Sequence, residues 1–245
     1  MAEFKLGIQS WTFRNFKTLD ELIGLLNKTG VSYVELYPGG QLPHENGKDV
    51  ILAGLDKLKK AGITVESFGV CGFSKDENMN RKAFEFAKIA GIKAISADID
   101  PEAISLAENL SQEYNIKLAI HNHGRNHRYG KIEQLKDIFE KTGANIGLCL
   151  DTAWMLDAGT DPVQAARMFG ERLYGVHLKD FIFAADGKPQ DVVLGEGGLK
   201  LNKFFQTLES LDFDGYLSIE YEGEPENPLP KVIECVKRVR QVLGK

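Results

Sequence analysis

The chain has little cysteine, no long apolar run and no excess of positive charge, and each shortage removes a class of protein. Cys71, Cys149 and Cys235 are far apart and odd in number. That is how reduced thiols are used in a cytoplasmic compartment, and it leaves no disulfide framework. No stretch approaches the roughly 18 apolar residues of a membrane span, so no membrane partner is expected. The opening residues, MAEFKLGIQS, carry a charge at Glu3 and lack the apolar segment of a secretion signal. The 30 Lys and Arg residues stand against 35 Asp and Glu, a net charge of -5. A broad basic face for nucleic acid is therefore not expected.

Of the 245 residues, 43% are hydrophobic, enough for one large barrel or two small domains. Short apolar runs alternate with longer amphipathic ones. Strand-like segments fall at 4–11, 31–37, 63–69, 92–98, 116–122, 145–151, 172–180 and 216–223. Between and after them, apolar residues recur at helical spacing over 19–30, 49–62, 80–91, 101–114, 131–143, 161–170, 201–212 and 228–243, several of these ending in glycine or opening with proline. Eight strands alternating with eight helices predict parallel strands joined by helical crossovers, and a single (β/α)₈ TIM barrel over 1–245. An open doubly wound sheet usually carries a glycine fingerprint after its first strand. Here that position reads SWTFRNFKT, without glycine. The one long irregular stretch, 181–200, is expected to be a lid or substrate loop.

Such a barrel places its chemistry at the C-terminal ends of its strands. The second strand ends in VELY with Glu35, the fifth in IHNH with His121 and His123, and the sixth in CLD with Asp151. The seventh ends in VHLKD with His177, Lys179 and Asp180, and the eighth in SIEYEG with Glu220 and Glu222. Ionisable groups inside apolar strands are expensive to bury without partners, so their gathering on one rim points to a site. Strand alternation sends His121 and His123 to the same side and Asn122 to the other. Taken alone, the two histidines could be hydrogen-bonded core imidazoles. Beside Asp151, His177 and Glu220 they fit a divalent ion of borderline hardness, Mn, Co, Fe or Zn. His127 reads as a loop histidine, and Thr152 as a group that could orient Asp151. Lys179 reads as a group that binds or protonates a substrate oxygen, with an ion pair to Asp180 as the alternative. Glu35 reads as a substrate ligand or an acid/base group, and Glu222 as loop polarity. Trp11, Phe13 and Trp154, with Tyr37, Phe68 and Phe73, could wall a carbohydrate pocket.

GLCLDTAWMLDAGTDP (147–162), LYGVHLKD (173–180), LGEGG (194–198) and GYLSIEYE (215–222) resemble the xylose isomerase-like barrel superfamily, and within it the sugar phosphate isomerase/epimerase group. That group includes tagatose 3-epimerases, hydroxypyruvate isomerases and inosose dehydratases. The resemblance implies one divalent metal held by Asp151, His177 and Glu220. Where the family has a glutamate at the end of the fifth strand, this chain has His121, which is expected to be the fourth ligand, with His123 beside it. Trp154 stands where many relatives have a substrate-contacting histidine. The implied activity is metal-stabilised enolisation of a keto sugar or cyclitol, with Glu220 as base and Lys179 or His123 at the oxygen. Isomerisation or epimerisation is the leading expectation, dehydration or another lyase reaction the alternative, and non-catalytic sugar binding a third reading. An abasic-site nuclease would need more histidine ligands and a basic face. Members of that group often form dimers or tetramers, so a homo-oligomer is compatible with the resemblance.

Overall fold

A computed structural model describes residues 4–244. Eight parallel strands close into a barrel: β1 (Leu6–Gln9), β2 (Tyr33–Leu36), β3 (Thr64–Phe73), β4 (Ala94–Ile99), β5 (Lys117–His121), β6 (Ile146–Asp151), β7 (Leu173–Leu178) and β10 (Tyr216–Ile219). Closure is made by β1 against β10, with Ile8 opposite Ile219. Around the barrel run α1 (Leu19–Thr29), α2 (Lys48–Lys60), α3 (Glu77–Ala90), α4 (Ile104–Tyr114), α5 (Ile132–Lys141), α7 (Pro162–Met168), α8 (Leu201–Ser210) and α9 (Leu229–Val242).

Local chemistry accounts for the boundaries. Thr18 and Glu21 form a reciprocal capping box at the start of α1, and Gly30 ends it in the left-handed conformation that glycine adopts without penalty. Asp76 caps α3 by accepting from Met79 N, so that helix begins three residues earlier than its apolar periodicity suggests. The apolar faces of the helices and the outward faces of the strands form one continuous core. Inside the barrel's lower end, Tyr174 and Tyr216 pack with Ala94, Ala119 and Cys149. A methyl group at Gly147 or Gly175 would overlap one of these two rings.

The structure departs from the sequence expectation in two places. A short helix, α6 (Thr152–Asp157), starts directly at the end of β6 because the Asp151 carboxylate caps it, accepting from Trp154 N at 2.8 Å. The stretch 181–200 is not irregular throughout. It opens with an antiparallel hairpin, β8 (Phe181–Phe183) and β9 (Pro189–Asp191). Beyond it, the backbone N–H groups of Gly195, Gly197 and Leu199 donate to the Asp180 carboxylate at 2.9–3.0 Å. The glycine-rich LGEGG is thus a loop fastened to the end of β7. No helix among the described residues is long and apolar enough to cross a membrane.

Candidate metal centre

Four strand ends bring His121, Asp151, His177 and Glu220 together, all of them buried, with one possible ligand atom from each lying within 4.8 Å of the others. Register does much of this, since Asp151 on β6 stands opposite His177 on β7. Asn122, pointing away from the barrel interior, fixes β5 against β6: its side chain donates to Asp151 O at 3.0 Å and accepts from Asp151 N at 2.9 Å. Thr152 does not orient the Asp151 carboxylate. Its hydroxyl donates to Lys179 O and accepts from Lys179 N at 2.9 Å, holding the end of β7.

The four groups fit a divalent cation. His121 Nε2 lies 3.5 Å from Asp151 Oδ2 and 4.0 Å from Glu220 Oε2, and His177 Nδ1 lies 3.3 Å from Glu220 Oε2. Nevertheless both ring nitrogens of His121, Asp151 Oδ2 and His177 Nδ1 are buried without a hydrogen-bond partner among the described residues. Buried polar atoms are almost always paired, and two imidazoles with two carboxylates are a familiar donor set for borderline divalent ions.

Electrostatics follow from depth. Burial, reinforced by the charge of His177, pulls His121 down to about 3, so its ring is neutral and its lone pair available. Burial pushes Asp151 up to about 6 against the pull of Lys179. Burial acts upward on Glu220 too, but Lys179 and His177 outweigh it and hold this carboxyl below the usual range. Lys179 is 2% exposed. Its ammonium contacts Glu222 and lies 3.8 Å from Glu220 Oε2, over the faces of Trp154 and Phe181. Burial disfavours that charge, yet the surrounding carboxylates of Glu220, Asp151 and Glu222 raise its pKa above the ordinary lysine value. The alternative reading of Lys179, a surface pair with Asp180, is not formed, because Asp180 is spent on the loop.

Above the four donors opens a cavity of about 520 Å³, lined by His121, His123, Glu220 and Glu222 on one side and by Gln9, Trp11, Tyr37, Val70 and Trp154 on the others. Trp11 meets Tyr37 edge to face at 5.1 Å, and its indole N–H donates to Glu222 at 3.2 Å. Glu222 is therefore part of the cavity, not loop polarity. Gln9 is a lining residue that sequence reading missed. Four residues expected at the substrate lie elsewhere, Phe68 and Phe73 among them, both buried in the core. Phe13 is fully buried, packed edge-on to Phe16, because the turn after β1 points its ring into the core. Glu35 is 1% exposed and faces down the barrel, with its Oε2 2.8 Å from His177 Nε2.

His121, His123 and His127 form a row of rings, with centroids 4.5 and 4.4 Å apart, running from the donors toward the surface. Burial, with His121 and His127 beside it, lowers His123 to about 3. His127 ends the row 3.5 Å from Asp98, a carboxylate that also pairs with Arg128 at 2.7 Å.

Residues 101–239 match the family described as xylose isomerase-like TIM barrel. An inosose dehydratase from Clostridium perfringens is 24% identical over 226 residues, which cover 81% of this chain and 72% of the relative. Among solved structures, the probable 3-DHS dehydratase AsbF from Bacillus anthracis superposes with a TM-score of 0.80 at 16% identity, covering 99% of both chains. The IOLI protein, solved with a binding zinc atom, superposes with a TM-score of 0.78 at 18% identity, covering 98% of both chains.

Proposed function

Because the chain belongs to the xylose isomerase-like TIM barrel family, we propose that it is a divalent-metal-dependent lyase that removes a β-oxygen from an uncharged keto sugar or keto cyclitol. The elimination reading now stands ahead of isomerisation. It is favoured by the likeness to an inosose dehydratase and by the donor set, in which a histidine takes the place of one of the two glutamates that a two-carboxylate epimerisation would use.

The observation that carries the reading is the convergence of the four donors beneath a cavity that Glu220 and His123 also line. His121, Asp151, His177 and Glu220 would hold the ion. When bound it would polarise a substrate carbonyl and make the neighbouring C–H more acidic. Glu220, held ionised by Lys179, takes that proton, since a carboxylate needs only one of its oxygens as a ligand. The C–H electron pair becomes a C=C bond, the β C–O bond breaks, and the leaving oxygen takes the proton now on Glu220 and departs as water, which returns Glu220 to its carboxylate. His123 faces the cavity with a neutral ring, suited to donating a hydrogen bond to a substrate oxygen. Lys179 does not line the cavity; its charge acts from behind Glu220 and Glu222, holding Glu220 ionised and favouring negative charge that develops beside them.

The substrate's lack of charge is inferred from the wall. No lysine or arginine is among the residues lining the cavity. The arginines nearby are engaged: Arg14 donates to the backbone oxygens of Glu222 and Trp11, Arg125 pairs with Asp157, and Arg128 pairs with Asp98 and Asp100. A phosphate or carboxylate away from the proposed ion would find negative charge from Glu220 and Glu222 and no lysine or arginine side chain in the wall to pair with it.

One observation favours a second reading. Glu222 adds a second carboxylate to the cavity beside Glu220, which could serve an epimerase as the group on the opposite face. The test is incubation of the metal-loaded protein with a keto-inositol and a ketohexose in D₂O. Loss of water with appearance of an enone supports the lyase. Deuterium entering the α-carbon without loss of water transfers the reading to isomerisation, and neither change, with substrate bound, leaves a binding protein.

A further inference from the structure

Glu35 is a buried carboxylate that the proposed chemistry does not use. Its side chain and that of His177 are both 0% exposed, with Oε2 and Nε2 2.8 Å apart. Its other oxygen accepts from the Ser96 hydroxyl, and the Ser67 hydroxyl lies 3.5 Å away. Ser96 Oγ is in turn 2.9 Å from the phenol oxygen of Tyr216. Four strands thus contribute one continuous chain of hydrogen bonds, lying in the layer below the donors.

The direction of the chain can be worked out. A carboxylate only accepts, so Ser96 spends its one O–H on Glu35 and Tyr216 donates to Ser96. At the other end His177 donates through Nε2. In the neutral ring that a cation ligand requires, its Nδ1 then presents a lone pair on the side of Glu220, and Nδ1 is the atom without a hydrogen-bond partner among the described residues. Replacing a buried ionic contact with apolar groups of similar volume is often neutral or stabilising, so the fold by itself gives little reason for a carboxylate at this depth.

We propose that Glu35 is the positioning residue for His177, itself held by Ser96 and Tyr216, and that this column fixes which imidazole nitrogen faces the cation and how tightly the site binds it. The inference rests on the metal reading above. A partner behind a metal-binding histidine sets its tautomer and ring orientation, and losing such a partner typically costs about 10- to 100-fold in metal affinity.

The experiment is a zinc titration of metal-depleted wild-type protein, Glu35→Gln and Ser96→Ala, in competition with a chromophoric chelator. It is read beside the melting temperature of each metal-free protein and the visible absorption of the Co²⁺ forms. Expected are a loss of zinc affinity of about 10- to 100-fold in Glu35→Gln and a smaller loss in Ser96→Ala. The metal-free melting temperatures stay close to wild type, and the Co²⁺ spectrum of Glu35→Gln is altered. Zinc affinity within twofold of wild type in Glu35→Gln, with an unchanged Co²⁺ spectrum, overturns the inference. If Glu35→Gln does not fold, Ser96→Ala decides: weakened binding supports the column, and unchanged binding overturns it. Failure of the wild-type protein itself to bind zinc or cobalt would overturn the metal reading first, a separate outcome.

Discussion

Strands β5, β6, β7 and β10 carry at their upper ends the four residues that could hold a cation, whereas β1 to β4 carry none of them. The first half of the barrel contributes the aromatic wall of Trp11 and Tyr37 and, one layer lower, Glu35, Ser67 and Ser96. The family match begins at Pro101, so it spans every donor and neither of those aromatic residues. The four-residue cluster and the Trp11–Tyr37 part of the wall thus come from opposite sides, while Trp154 on α6 adds to the wall from the cluster's side. A sugar ring in the cavity would turn its oxygens toward β5–β10 and its C–H face toward Trp11 and Tyr37. The halves are joined through the Glu35–His177 contact.

The largest effect should come from breaking the donor half. Glu220→Gln removes both a ligand and the proposed base, and turnover should fall by about a thousandfold or more, with metal lost on dialysis; elemental analysis beside steady-state kinetics checks this. Lys179→Met should lower kcat by about a hundredfold while the metal stays bound. With the ammonium gone, the upward push of burial on Glu220 is less opposed, so the acidic limb of the pH–rate profile should move to higher pH.

Breaking the shape half should look different. Trp11→Ala should raise KM about tenfold, equivalent to about 1.4 kcal/mol, with kcat changed by less than about threefold, because a uniform contact with substrate is lost. The remaining effect is on stability and concerns the histidine row. The folded protein holds His123 at about 3, while the unfolded chain binds its proton near 6.5. Native stability from this residue is therefore present above pH 6.5 and lost as pH falls toward 3. In metal-free protein, His123→Gln should gain on wild type by about 4–8 °C in melting temperature between pH 7.5 and pH 5, a difference that scanning calorimetry at both pH values measures.

Much of the fold was legible because each βα unit repeats the same contrast between a short apolar run and a 3.6-residue period. The cluster was legible because Asp151, His177 and Glu220 end such runs, where an ionisable group is conspicuous. The parts that were not legible have physical reasons. Strand alternation says that Glu35 faces inward but not whether it points up to substrate or down to a neighbour, and only the placement of His177 decides that. Ser67, Ser96 and Tyr216 are unremarkable in a strand until three other strands converge on them. Glu222 lies past the end of β10, where periodicity no longer assigns a direction. Helix α6 was hidden because its cap is Asp151, a residue already claimed by the site. The three-residue strands of the hairpin are too short to show a period.

The reciprocal bond between Asn122 and the Asp151 backbone has an evolutionary consequence. Residue 122 determines where the fifth strand ends relative to the sixth, while residue 121, on the opposite face, determines which atom is offered there. Location and chemical identity are encoded by different letters of the sequence. A lineage, or an engineer, can therefore exchange His121 for a carboxylate and alter the site's charge by one unit while the frame that carries it is inherited unchanged.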